Sequence, residues 1–409
     1  MNEEILKSVS GLEPLMVKSL IRLCSIPAVS PHNGGTGEDA KILELAKIID
    51  ELELKNISLK VEHVDDEKSP SGRRQSLFLE CPGRKSQRLC ILSHVDVVPE
   101  GDRSAWTLDP FKPEVRGSRI YGRGVSDNGT CLVASLFALK AIQDAGITPE
   151  YSILLAFVSD EEMGSHYGLE PLMERGIFRD NDLVVVPDSG NDEGNFIEVA
   201  EKAVWRLMFT VIGKQVHASL PHKGINACRV ANMLAHEVDE ALNSKFTQRN
   251  EVFDPPFSTF EPTRRQANVP AVNIVPGREV FEFDCRVLPE VSLDEAFDVV
   301  EKIRADVERR TGAKIELAVD RSDAAEPTSP DAEVCRLLAG SVRKVLGVEP
   351  VTGGVGGGTF AVFFRRKGIP AVVWSQECGG VAHQPDEFTE ISYLVNNAQV
   401  FALMMAGEE

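Results

Sequence analysis

Cysteine is scarce for a chain of 409 residues. There are eight, Cys24, Cys81, Cys90, Cys131, Cys228, Cys285, Cys335 and Cys378, and no two form a C-x-x-C pair. That excludes a disulfide scaffold and a thiolate zinc knuckle. Several lie inside apolar runs such as "RLCIL" and "NGTCLVASL", where cysteine acts as a small hydrophobe. Long hydrophobic runs are also missing. "YSILLAFV" and "LVVVP" are the longest, far below the roughly 20 residues of a membrane span. Positive charge is in deficit, with 44 Lys and Arg against 63 Asp and Glu and a net charge of −19. Neither nucleic acid nor an anionic membrane surface is therefore expected as a partner. The opening "MNEEILKSVSGLEPLM" is acidic and amphipathic, unlike a signal or transit peptide. Neither glycine cluster is followed by a Walker lysine, and there is no internal repeat. The expectation is a reduced, cytoplasmic protein.

What is present, 43% apolar and 26% charged residues, is the composition of a globular protein long enough for two structural units. Helical spacing runs through residues 3–25 and 38–53, then short strand-like runs "ISLKVEHV", "SLFLEC" and "LCILSHVDVV" follow. A helix is expected from Thr130 to Ala145, closed by Gly146, and strands at "YSILLAFVS" and "DLVVVPD" flank a short helix near Leu169. Uniformly apolar strands alternating with helices imply a buried sheet with helices on both faces. Near residue 203 the style changes. "AVWRLMFTVIG" alternates, a helix covers about 224–242, and "VPAVNIVPG" and "EVFEFDCRVLP" read as adjacent strands joined by a Pro-Gly turn. A helix over 293–310 and the strand "AKIELAV" complete this part, and the α/β style resumes after about 320. The fold class is thus α/β, with residues 1–202 and 321–409 forming one discontinuous domain and 203–320 an α+β insert.

Five places carry candidate chemistry. In "LCILSHVDVVPEG", His94 and Asp96 stand two apart where a strand ends, so in extended geometry they share a face. A carboxylate there can hold a ligating imidazole, although a surface His in a polar turn is the plainer reading of an isolated H-x-D. In "IYGRGVSDNGTCLVA", Asp127 stands just before a helix, where N-capping is the simpler role. "SDEEMGS" places Asp160, Glu161 and Glu162 at the end of one apolar strand, and "LVVVPDSG" places Asp188 at the end of another. "GGVAHQPDEF" adds His383. Singly each is weak. Together they gather at strand ends and helix starts, where open α/β sheets build their sites. Two His with several carboxylates make an N/O donor set that suits Zn²⁺ better than Mg²⁺. If two ions bind, a carboxylate must bridge them, because there are too few ligands for separate cages.

As an ordered set, "SHVDVVP", "YGRGVSDNGT", "SDEEMGS", "VVPDSG", "VHASLPHKGINA", "VNIVPG", "DCRVLPE" and "AHQPDEF" closely resemble the dinuclear-zinc family of succinyl-diaminopimelate desuccinylase, acetylornithine deacetylase, aminoacylase and carboxypeptidase G-type enzymes. The resemblance implies a zinc-exopeptidase-like catalytic domain, a mixed sheet flanked by helices, with 203–320 as an inserted lid and dimerisation domain. It implies two Zn²⁺, with Co²⁺ or Mn²⁺ as substitutes, and Asp127 as the bridging carboxylate. One ion would take His94 and Asp188, the other Glu162 and His383. Asp96 would orient His94, and Glu161 would be general base and acid. Because neighbouring side chains alternate in an extended chain, facing both glutamates inward requires a strained or cis-like turn at 160–161, and the family implies a cis peptide after Asp160.

By the same resemblance His217 is an oxyanion donor reaching the site from a partner subunit, so a homodimer through the insert is expected. Arg286 matches a residue that pairs with a substrate carboxylate, a task suited to its bidentate fork, and Asn273 lies beside it in the pattern. Gly357, Gly358 and Thr359 of "TGGVGGGTF" would cradle that carboxylate, though such a glycine run also serves backbone freedom alone. The implied activity is hydrolysis of the amide bond of an N-acyl amino acid, by a metal-activated water with Glu161 as base. A dipeptidase or carboxypeptidase acting on short peptides is the alternative. A non-catalytic metal- or amino-acid-binding scaffold is a more distant one.

Overall fold

The computed structural model describes residues 2–407. The chain divides into two compact units. The first comprises Met1–Val199, Thr328–Gly353 and Thr359–Glu409, and the second Ala200–Pro327 with Gly354–Gly358.

The first unit is built on an eight-stranded sheet. Its order is Ser58–Asp65, Arg73–Cys81, Tyr151–Val158, Lys85–His94, Leu183–Asn191, Ala371–Gln376, Phe196–Glu201 and Val351–Val355. The four central strands are parallel, and Arg73–Cys81 and Phe196–Glu201 flank them antiparallel, so the sheet is mixed. Side chains alternate across it as a strand requires. Leu89, Ile91, Ile153, Leu155, Val185 and Val372 pack with the helices Asn2–Gly11, Glu13–Cys24, Cys131–Asp144, Glu333–Leu346 and Ile391–Ala406. Cys90, Leu92, Leu154, Ala156, Val184 and Val373 pack on the opposite face with Leu169–Met173 and Ala361–Arg366. Both faces are covered, which is why these strands read as unbroken apolar runs. The helical spacing over 3–25 resolves into two helices, because Leu12 breaks the register and Pro14 opens the next turn.

The second unit has a four-stranded antiparallel sheet ordered Thr259–Arg265, Arg278–Val287, Ala203–Ile212 and Lys314–Ser322. Trp205, Leu207, Phe209 and Val211 face the helices Ala227–Lys245 and Leu293–Thr311, while Arg206 and Met208 face outward. "VPAVNIVPG" does not form the strand expected beside "EVFEFDCRVLP". Only Ile274–Val275 is extended, and it pairs with Val216–His217. Pro270 and Pro276 bracket that stretch and remove the N–H groups a longer ladder would need.

Candidate active site

The parallel strands end on the same side, and their ends carry the predicted side chains. His94 closes Lys85–His94, and Asp188 lies in the last half of Leu183–Asn191. Asp127 sits in the loop before Cys131–Asp144, and His383 in the loop before Phe388–Glu390. The imidazole Nε2 of His94 is 2.7 Å from Asp127 Oδ1 and 3.2 Å from Asp188 Oδ1. His383 Nε2 lies 3.1 Å from both Asp127 Oδ2 and Glu162 Oε1. Two donor groups result, His94–Asp127–Asp188 and Asp127–Glu162–His383, each with its ligand atoms within 4.8 Å of one another. Asp127 belongs to both, one oxygen to each histidine.

Charge is concentrated here without matching cations. Burial alone would lower the pKa of His94, but the carboxylates of Asp188, Asp127 and Asp96 overrule it and hold the ring well above its usual value. Hydrogen bonds to Asp127 and Glu162 push His383 up to about 10. Burial raises the Glu161 carboxyl well above the ordinary range, with the negative charges of Asp188, Glu162 and Asp96 adding to it. Among the described residues, nothing hydrogen-bonds to the Glu161 carboxylate. A field that favours protons on two imidazoles is one that divalent cations would relieve. The donors are all N and O, so the residues present suit ions of the Zn²⁺ type.

The turn at "SDEE" is strained as expected, but not through a cis bond. Asp160 adopts the left-handed region at φ 70°, and the non-proline cis bond lies at Asp127–Asn128, not after Asp160. The left-handed residue already redirects the chain, and Asp96 secures the result. Its two carboxylate oxygens accept the N–H groups of Glu161 and Glu162, each at 3.1 Å. Asp96 reaches His94 chiefly through its backbone carbonyl, 3.0 Å from Nδ1, while its carboxylate oxygen stands at 3.6 Å. Behind Asp160 lies Arg74, whose guanidinium is fully buried and 3.0 Å from Asp160 Oδ1.

Four contributors escaped the sequence reading. Arg74 joins Glu38, Asp66 and Asp160, partners up to 86 positions away. Asn128 donates to Asp188 Oδ1 at 2.7 Å. Glu377 is half-buried and accepts from Gly190 N–H at 3.1 Å. Glu387 accepts from the backbone of the Asp127 loop. Only the motif text "PDEF" and "SDNG" offered any signal, by including Glu387 and Asn128 without assigning them.

The second unit holds His217, Asn273, Arg286, Gly357 and Gly358. His217 is exposed, with Nδ1 2.8 Å from Ser219 Oγ, and the N–H of the next residue, Ala218, donates to Asn273 O at 2.9 Å. Arg286 is not a free clamp. It forks onto Asp284 at 2.6 and 3.2 Å and donates from Nη1 to Gly356 O at 2.7 Å, beside the glycine run. Thr359 belongs to the first unit, where its hydroxyl accepts from Ala361 N–H at 3.1 Å.

Residues 90–407 match the model of peptidase family M20/M25/M40. The chain belongs to that family. It is 37% identical to an uncharacterized metallohydrolase of Methanococcus maripaludis, over 93% of this chain and 95% of that protein. It is 31% identical to a succinyl-diaminopimelate desuccinylase of Alkalilimnicola ehrlichii, over 68% of this chain and 73% of that one. Among solved structures, the dipeptidase Dug1p of Saccharomyces cerevisiae superposes with a TM-score of 0.78 at 14% identity, covering 99% of this chain and 98% of that one. At that identity the likeness concerns the fold. As an M20 metallohydrolase the chain uses divalent metal, and no helix among the described residues is long and apolar enough to cross a membrane.

Proposed function

We propose that this M20 metallohydrolase cleaves the amide bond of an N-acyl amino acid bearing a free carboxylate, with two Zn²⁺ as the resident ions. The observation that carries the reading is the pair of N/O groups sharing Asp127, with the unengaged Glu161 carboxylate beside them. His94 and Asp188 would hold one ion, Glu162 and His383 the other, and Asp127 both. Such ions would polarise the amide carbonyl and lower the pKa of an attacking water. Glu161 takes the proton from that water and returns it to the leaving amine. Its half-buried, negatively charged setting favours the protonated form it must reach midway. Asp96 keeps Glu161 and Glu162 in place through their N–H groups.

Arg286, Asn273, Gly357, Gly358 and Thr359 are assigned to the substrate carboxylate. A guanidinium has five N–H donors, and Arg286 commits three to Asp284 and Gly356, so two stay available. His217 is assigned to the developing oxyanion, contributed across a homodimer formed through the second unit. The 31% identity to a desuccinylase favours N-acyl substrates. The fold shared with a dipeptidase keeps short peptides as the second reading.

The test is a panel of N-succinyl amino acids, N-acetyl amino acids and dipeptides, offered to chelated and to Zn²⁺- or Co²⁺-loaded protein. Metal-dependent hydrolysis led by N-acyl substrates is expected. Hydrolysis led by dipeptides would move the assignment to the second reading. Loaded protein that cleaves nothing in the panel would refute both, and full activity without metal would refute the mechanism.

A further inference from the structure

Glu387 lies four residues beyond His383 and is 1% exposed. Nothing in the chemistry above uses it. Its carboxylate is nonetheless more heavily bonded than any presumed ligand. Oε2 accepts Arg123 Nη1 at 2.7 Å and Gly124 N–H at 3.0 Å. Oε1 accepts Ser126 N–H at 3.0 Å and Asp127 N–H at 3.2 Å. Three backbone N–H groups of one short loop therefore converge on one side chain, and the buried Arg123 balances its charge. The backbone is joined as well. Gly122 N–H donates to Glu387 O at 2.9 Å, and the strand Phe388–Glu390 pairs with Arg119–Tyr121.

These bonds close a circuit. From Asp127 N–H the path runs to the Glu387 carboxylate, along the chain to His383, and from His383 Nε2 back to Asp127 Oδ2 at 3.1 Å. The loop's close packing also requires glycine at one of these donors. Gly124 has φ 79°, and a Cβ there would stand 2.6 Å from Val97 Cγ1. One of the backbone N–H groups it accepts belongs to Asp127, the residue whose carboxylate is common to both donor groups.

We infer that Glu387 is a positioning residue that sets both metal positions at once, by fixing the Asp127 loop to the His383 loop. The inference rests on the dinuclear reading above. It predicts something the ligands at a single position do not: loss of Glu387 weakens both positions together. Outer-shell partners of metal ligands are worth roughly 10–100-fold in affinity, and here that factor applies twice. A glutamine at 387 keeps the shape but puts an NH₂ group against backbone donors, so one oxygen's bonds are lost.

The experiment compares the full chain with Glu387→Gln, Glu387→Asp and Glu162→Ala. Each is stripped with chelator and retitrated with Zn²⁺ against a chromophoric competitor. Bound metal is counted by plasma mass spectrometry, and melting of the metal-free forms is followed in parallel. Glu387→Gln is expected to bind both equivalents 10–100-fold more weakly than the parent, whereas Glu162→Ala loses one equivalent and keeps the other. Two equivalents bound by Glu387→Gln with parent affinity, or loss of one alone, would overturn the inference. So would a melting shift without any change in affinity. If Glu387→Gln does not fold, the same ratio is read from Glu387→Asp, whose carboxylate falls about one C–C bond (~1.5 Å) short of the loop. Parent affinities there overturn the inference too. A parent that binds one ion refutes the dinuclear reading instead, and the variant-to-parent ratio at that one position still tests Glu387.

Discussion

Replacing Arg74 with methionine probes how the turn before Glu161 is held. The Arg74 side chain is fully buried among three carboxylates that are themselves buried. It forks onto Glu38, with Nε 2.7 Å from Oε2, and donates from Nη1 to Ser30 Oγ at 3.2 Å. The same Nη1 lies 3.0 Å from Asp160 Oδ1 and 3.5 Å from Asp66 Oδ2. Asp66 has another polar neighbour, His32 Nε2 at 3.3 Å, and Asp160 takes Tyr167 N–H at 2.8 Å. Glu38 has no such second partner for its side chain among the described residues. Methionine fills a similar volume, so the cost is chiefly electrostatic. Removing one partner of a buried ion pair costs about 3–5 kcal/mol, and Glu38 is the group left most exposed to that cost. Glu38→Gln added to Arg74→Met should therefore recover about 1–2 kcal/mol, a coupling within the usual range for direct neighbours. The assay is urea unfolding of metal-free protein in a Trp205→Phe background, so that Trp106 and Trp374 report the first unit alone. A loss below about 1 kcal/mol for Arg74→Met, or no recovery from the second change, would refute this account of the network.

Glu161→Gln should retain metal while activity on the best panel substrate falls by about two to four orders of magnitude, and Glu162→Ala should lose one ion. Metal analysis giving the reverse would exchange their roles. His217→Ala should lower kcat without lowering metal content, and a fully active monomer at assay concentration would remove the partner-subunit assignment. Burial pushes the Cys335 thiol from 9.0 up to about 11. Its contribution is therefore fully present below pH 9 and is lost as pH rises towards 11, because the unfolded chain releases that proton first. The stability gap between parent and Cys335→Ala should shrink by about 2 kcal/mol between pH 8 and 11, and a constant gap in urea midpoints would contradict it.

Those proposals draw on two kinds of residue that differ in how far the sequence reveals them. His94, Glu161, Glu162 and Asp188 stand where apolar runs stop, so strand geometry alone brings them to one end of the sheet. The helices and strands were legible for the same reason, since covered faces impose period and apolarity. Arg74 and Glu387 were not. Most of their partners lie tens to hundreds of positions away, and an Arg or Glu in a polar stretch reads as a solvated surface until the fold encloses it. The turn at Asp160 shows an intermediate case. Alternation along a strand required a departure from regular geometry, but not which one, and a left-handed residue served where a cis bond had been expected. Arg286 was legible as a cation, and its pairing with Asp284 stays on one face of its own strand, yet its bond to Gly356 O, 70 positions away, needs the fold.

The second unit leaves and rejoins the first at neighbouring points. Val199 ends one crossing and Thr328 begins the other, and Thr328 N–H donates to Val199 O at 2.9 Å. A short glycine bridge could therefore replace residues 200–327 without stretching the chain. The metal-gathering half and the half that carries His217 and Arg286 become separable parts, related as a tool body is to an exchangeable head. Only Gly354–Gly358 would stay behind as an orphaned piece of the removed unit. Grafting an insert from a relative of different specificity onto the same two stubs would ask directly which half chooses the substrate.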